Sequence, residues 1–322
     1  DTGERKPLDV SMQIDSQLEG LAVNLPAPLN KPAALRRALS LQLHWPQPDA
    51  LQVRGVYGDL AQAQLRFDRR AAGAGAQTQW VLNRGHVQLG GGRARVPGAP
   101  GLTIAGAVDT LDLSGWLALR SGRSGGRPLS EYLRGVELTA RELQLNGFRL
   151  PDVTASMVGG AEAWAVNVSG PRAQGTLLIP FDLTGGDAVY ITMARLHLGE
   201  PRAGSGARAA GSGPDPRRWP PVKVSVRDFS AWNRRFGQLA AELVRTPEGL
   251  TLHSLSARSP GFVLTGSGAW TAGPAGQHSK LALRLESTDV LDTLQRLGYG
   301  ASLAGKRGLA TLDLHWPGSP DG

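Results

Sequence analysis

Apolar and polar residues alternate along most of the chain. Leu8, Val10, Met12 and Ile14 are separated by Asp9, Ser11 and Gln13, and Leu39, Leu41, Leu43 and Trp45 repeat the pattern. It returns at Leu102, Ile104, Gly106 and Val108, at Leu177, Ile179 and Phe181, and at Val189, Ile191 and Met193. Leu250 with Leu252, Phe262 with Leu264, Leu281 with Leu283 and Leu285, and Leu312 with Leu314 carry it to the end. A period of two belongs to a strand with one face turned away from water. Glycine clusters at 90–92, 159–160 and 185–186 separate the runs. Short strands joined by short turns predict antiparallel neighbours and an all-β fold.

Helical periodicity is scarce. The best case is 287–298, where Ser287, Thr288 or Asp289 suits an N-terminal cap, Leu291, Leu294 and Leu297 share a face, and Gly298 suits the position after the last turn. Weaker signals predict short helices at 114–119, 129–134 and 231–236. The stretch 201–221 holds nine Gly or Pro, four Arg, one Asp and no Leu, Ile or Val. It reads as a solvated loop dividing a first part, 1–200, from a second, 222–322. Two internal similarities suggest repetition. Leu41-Gln42-Leu43-His44-Trp45-Pro46 nearly recurs as Leu312-Asp313-Leu314-His315-Trp316-Pro317, and Phe148, Val153, Trp164, Val166 and Leu177 have loose counterparts at Phe236, Leu239, Leu250, Leu252 and Leu264.

Composition sharpens this picture. Gly 43 and Pro 22 make up a fifth of the 322 residues, against about 12% in average proteins. That excess argues for many turns and against a helical bundle. The longest apolar runs, such as 175–183, fall short of the ~20 residues of a membrane helix. The chain starts at Asp1 with no secretory signal, and reads as an excised segment. The absence of cysteine excludes disulfides, thiol catalysis and zinc–thiolate sites. The formal charge of +8 rests on arginine, with lysine only at 6, 31, 223, 280 and 306. It suits anionic lipid or nucleic acid and establishes neither. Much of it falls in 201–221, which argues against nucleic acid as a partner.

Catalytic motifs are weak. Six histidines stand singly, at 44, 86, 197, 253, 278 and 315, with no metal-ligand spacing. Asp289 and Asp292 share a helix face, where acids suit the start of the helix. Gly122-Arg123-Ser124-Gly125-Gly126 has the letters of a nucleophile elbow without its strand–turn–helix setting. Segment 300–307 misses the phosphate-binding loop, because Arg307 stands where Ser or Thr must bind magnesium. Eight tryptophans, mostly at strand ends, suit sheet corners better than base stacking. No catalytic residue, metal or cofactor is expected.

Four stretches carry a resemblance. One runs from Trp232-Asn233-Arg234-Arg235-Phe236-Gly237 through Thr246-Pro247-Glu248-Gly249-Leu250 to Ser259-Pro260-Gly261-Phe262 and Gly266-Ser267-Gly268-Ala269-Trp270. The others are Leu18-Glu19-Gly20-Leu21-Ala22-Val23-Asn24-Leu25-Pro26-Ala27-Pro28-Leu29, Ser287-Thr288-Asp289-Val290-Leu291 and the closing Leu312-Asp313-Leu314-His315-Trp316-Pro317-Gly318-Ser319-Pro320. Together they resemble the YhdP-type AsmA-like family of bacterial envelope proteins, over nearly the whole chain. The resemblance implies a relation to TamB and to eukaryotic bridge-like lipid transfer proteins. It implies an inner-membrane anchor outside this chain, a periplasmic body, phospholipid as cargo and contact with both membranes or their proteins. It implies no catalytic residues.

Pattern and resemblance converge on one expected architecture: a long, mostly antiparallel curved sheet forming a repeating, taco-like β-groove with a few short helices. Roughly eighteen strands at about 4.8 Å each would build a trough of about 85 Å. The residues expected to line it are Val10, Met12, Ile14, Leu41, Leu43, Ile104, Leu177, Ile179, Ile191, Leu252, Leu264, Leu283 and Leu314. Alternation fits equally well a sealed β-sandwich, in which these side chains form a dry core. Two other functions compete: a TamB-like structural or protein-export module whose strand edges pair with a client, and an enzyme on a β scaffold.

Overall fold

The computed structural model describes residues 9–71, 78–121, 132–201, 215–274, 276–300 and 303–320. The fold is all-β: seventeen mostly antiparallel strands with two short α helices. The chain divides into two compact units, one of 1–143 with 154–159 and one of 144–153 with 160–322.

In the first unit, β1 (Val10–Ser16), β2 (Leu39–Gln47), β3 (Ala50–Tyr57), β4 (Ala61–Ala71) and β5 (Thr78–Leu89) form an antiparallel meander. β6 (Gly101–Asp112) then pairs with β5 in parallel. Helix α1 (Leu113–Ser121) follows β6 directly. The Asp112 carboxylate accepts from the Gly115 N–H at 2.9 Å, which places it as the helix cap. β7 (Leu133–Leu145) comes next.

The second unit takes up the start of β8 (Phe148–Gly159). It continues with β9 (Ala163–Ser169), β10 (Ala173–Pro180) and β11 (Val189–Leu198), each antiparallel to the one before from β9 onward. β12 (Val222–Ala231) joins β11 in parallel. β13 (Arg234–Thr246), β14 (Gly249–Ser259), β15 (Phe262–Gly273), β16 (Gly276–Ser287) and β17 (Gly308–Pro317) complete an antiparallel run. Helix α2 (Val290–Arg296) sits between the last two.

Two parallel joins interrupt the mostly antiparallel order. Their connections, 90–100 and 199–221, are long enough to return the chain to the end at which the previous strand began, which a tight turn cannot do. The glycines at 90–92 thus open a crossover and not a hairpin.

Helix expectations divide. Segment 114–119 lies in α1, and 287–298 contains α2. Asp289 caps α2 through the Asp292 N–H at 3.0 Å. Gly298, at φ +76°, closes it with bonds from the Gly298 and Tyr299 N–H groups to Gln295 and Leu294. The Asp292 carboxylate pairs with Arg296 at 2.6 Å, so the two aspartates serve the helix. The described part of 129–134 is not helical, since β7 begins at Leu133. Segment 231–236 is a hairpin. Ala231 faces Arg234, and Trp232 and Asn233 both take positive φ, the geometry of a type I′ turn. Asn146-Gly147 makes the same turn with φ of 47° and 82°. Segments 122–128 and 202–214 lie outside the described residues, and with them the nucleophile-elbow match and most of the expected loop.

Gly237 sits at φ +74° where β12 bulges against β13, and a Cβ there would fall 2.2 Å from the Arg258 carbonyl oxygen. Gly237→Ala is expected to destabilise the chain by about 2 kcal/mol or more. Gly273→Ala, with open space around it, should stay within about 0.5 kcal/mol. Urea unfolding of the two variants checks the difference.

Candidate functional site: two apolar faces

Register assembles the alternating residues into ranks that run across the strands. In the first unit one rank reads Ile14, Leu41, Gly55, Ala63, Val87, Ile104. The next reads Met12, Leu43, Val53, Leu65, Gly85, Leu102. Val10 faces Trp45 on the same side. The six lining candidates of this unit therefore share one face. It is far from dry: Val10 is 42% exposed, Met12 46% and Ile14 43%, and Leu41, Leu43 and Ile104 are half-buried.

One end of this face is covered by the chain itself. Leu89, Val108 and Ala140 are buried there, with Leu29 from segment 17–38 packed against them. Trp116 of α1 donates its indole N–H to the Ala27 carbonyl at 2.9 Å, and the Tyr57 hydroxyl donates to the Leu29 carbonyl at 3.3 Å. Val23 and Lys31 exchange backbone hydrogen bonds. Lys31 is 1% exposed, and its ammonium donates to the carbonyls of Leu21 and Pro32. A buried lysine bonded to two backbone carbonyls is a structural staple for the cap.

The second unit has a longer face. Its central rank is Val166, Leu177, Ile191, Val224, Ala241, Leu255, Gly266, Leu283, Leu312, one residue from each of nine strands. A flanking rank carries Met193, Val226, Leu239, Ala257, Leu264 and Leu285. On the other side lie Val222, Leu243, Leu252, Gly268, Leu281 and Leu314, and Ile179 faces Trp164. All seven lining candidates of this unit share this face. The reverse face carries Thr176, Thr192, Ser225, Glu242, Thr265 and Arg284. On it Lys223 pairs with Glu242 at 3.0 Å, which holds the lysine above its ordinary range through that hydrogen bond.

Burial across this face is uneven. Met193, Val226 and Ala257 of the flanking rank are buried, as are residues towards both strand ends. At one end Ala231 and Phe262 are buried, and Thr293 of α2 bonds to Ser287 and to the Gly261 carbonyl. At the other end Leu250 and Trp270 are buried, with the Trp219 ring 6.0 Å from that of Trp270. The central rank between them is half-buried from Val166 to Leu283 and exposed at Leu312. In a sandwich the middle of the sheet is the driest part, whereas here the driest residues lie in the flanking rank and at the strand ends, and the central rank stays half-buried.

Among the described residues no acid–base constellation accompanies these faces. The acids held below the usual carboxylate range are the exposed Asp15, by Ser40, and Asp182, by Thr184, and the half-buried Asp215, by Arg217. Among the described residues no group of three or more His, Asp or Glu could hold a metal. His44 pairs with Asp9, His197 with Asp228, and His86 bonds to Thr103.

A model of the family described as YhdP protein matches residues 2–322. The chain belongs to the YhdP family. Membership ties it to the cell envelope and to a function related to lipid transport, in a family not known for catalysis. No curated protein and no solved structure matches the chain. No helix among the described residues is long and apolar enough to cross a membrane.

Lys31→Met retains the aliphatic stem but removes the buried ammonium that bonds the Leu21 and Pro32 carbonyls. It is expected to loosen the cap by about 1–3 kcal/mol. Hydrogen exchange at the Val23 and Lys31 amides should speed up, with the amides of β14 and β15 unchanged.

Proposed function

We propose that this chain is an internal periplasmic segment of a bridge-like lipid transport protein, whose apolar faces carry phospholipid acyl chains between the inner and outer membranes without chemical catalysis. What supports it is the half-exposed central rank of the second unit. Nine strands at about 4.8 Å spacing make a strip of about 40 Å, longer than the ~30 Å hydrocarbon thickness of a bilayer. A contiguous aliphatic strip of that extent is far beyond the scattered apolar residues of an ordinary surface.

The energetics suit passage better than storage. Each methylene left in water costs about 0.8 kcal/mol, so an acyl chain crossing an aqueous gap meets a barrier of roughly 12 kcal/mol for sixteen carbons. A leucine-lined strip removes most of that barrier and offers little beyond what the bilayer already supplies. Cargo then enters and leaves at similar free energy.

Leu177 and Leu178 are adjacent in sequence and point to opposite faces. Leu177→Asp places a charge in the central rank, and phospholipid co-purifying with the chain, measured by mass spectrometry, should fall about tenfold. Leu178→Asp, on the outer face, should leave it unchanged. Equal lipid loads in both variants would refute the conduit. If the segment instead paired with client strands in the TamB-like manner, photo-crosslinkers would label strand edges and leave the central rank unlabelled.

A further inference from the structure

At the strand ends away from the cap of the first unit lies a cleft of about 380 Å³ that includes Arg70, Leu82, Arg84, Gly101, Tyr132 and Arg134 among its walls. Three guanidinium groups meet there, and no carboxylate among the described residues lines it. Arg84 is fixed from one side, its Nη1 donating to the Gly98 carbonyl at 3.0 Å. Its Nε is buried and has no acceptor among the described residues. The adjoining carboxylate of β4, Asp68, is engaged by Asn83 and lies 3.6 Å from Arg66. Among the described residues none of the three arginines has an ion-pair partner. Gly101, at φ +111°, makes the room: a Cβ there would fall 2.3 Å from Cγ of Arg134, whose side chain takes that space.

Like charges brought together, with a buried donor unanswered, call for an anion. Guanidinium groups suit a phosphate, which can accept paired hydrogen bonds from each planar fork. Register places the cleft on the polar side of the sheet: Arg84 faces Arg66 and Gly101, next to Gly85, which faces Leu65 and Leu102 on the apolar side. We infer that the cleft is a binding site for a phosphate group, carried by a small phosphate ester or by a phospholipid head group that reaches round the strand ends. The phosphate site stands on the cleft alone, whereas a lipid as its source rests on the transport reading.

The test uses the whole chain and three water-soluble probes: dihexanoyl phosphatidylglycerol below its micelle concentration, glycerol 3-phosphate, and dihexanoylglycerol, which lacks the phosphate. Arg70 and Arg134 are exposed, so Arg70→Gln/Arg134→Gln keeps the fold, checked by thermal unfolding. The double variant should bind dihexanoyl phosphatidylglycerol about tenfold or more weakly by calorimetry. Arg227→Gln, on an exposed side chain of the other unit, should bind it as the parent does. Dihexanoylglycerol should bind parent and double variant alike. Unchanged phosphatidylglycerol affinity in the double variant overturns the phosphate site, even while dihexanoylglycerol binding upholds the apolar face. Glycerol 3-phosphate binding as tightly as the lipid, and lost in the double variant, upholds the phosphate site and overturns the lipid as its source.

Discussion

Register is the constraint on which the rest depends. Side chains on a strand alternate with a period of two, so a slip of one residue in any ladder would send its leucines to the outer face. The nine-strand central rank exists only because eight successive pairings keep the same parity. The sequence does not alternate perfectly, and bulges absorb the faults. In β14, Leu252 and Leu255 are separated by two exposed residues, His253 and Ser254, and a register shift on each side brings both leucines to one face. In β12 a shift between Val226 and Phe229 does the same around Arg227 and Asp228. The parallel partner of β12, β11, carries a matching break, so Met193 meets Val226 and Leu196 meets Phe229. Coincident bulges in neighbouring strands preserve a face that either bulge alone would scramble.

Glycine has a second role within that face. Gly266 lies between Leu255 and Leu283, and a Cβ on it would meet Leu283 at 2.6 Å and Leu255 at 3.4 Å. Gly85 is overlain in the same way by Leu65 and Leu102, at 2.6 and 3.3 Å. Leucines from both sides lean over the gap, so the surface stays aliphatic although the strand contributes no side chain. Glycine weakens a strand by entropy and lost packing. Here that cost lets neighbouring side chains converge, which a locally concave surface requires.

Much of this architecture can be read from the chain, for a plain reason: period-two alternation and Gly/Pro punctuation are local signals. They locate the strands and the shared face of Leu177, Ile191 and Leu283. The caps of α2 are equally local and equally legible. The parallel joins are not, because the direction of a crossover depends on where a long link returns, which no residue in 90–100 announces. The turn at Trp232-Asn233 was hidden by residues that look helical and carry no glycine at the positive-φ positions. Asn146-Gly147, by contrast, is a hairpin signal plain in the sequence. The arginine cleft is the least legible feature. Arg70, Arg84 and Arg134 lie on three strands, and only the parallel β5–β6 join, which sets Arg84 beside Gly101, brings them together.

The arginines also bear on how a conduit can hold cargo without trapping it. An apolar strip discriminates little between one acyl position and the next, because each methylene gains the same burial wherever it lies. A phosphate site differs in kind, since its directional, charge-assisted bonds set orientation. Placed on the aliphatic strip it would act as a trap, gripping the lipid in surroundings of low dielectric. Placed at the strand ends, with Arg70 and Arg134 exposed to solvent, it acts through water that screens each contact. On the proposed reading, two exposed guanidinium groups and one half-buried one align the head group while leaving it free to exchange. On that reading the hydrocarbon ranks lower the barrier and the cationic cleft on the polar side orients the head group.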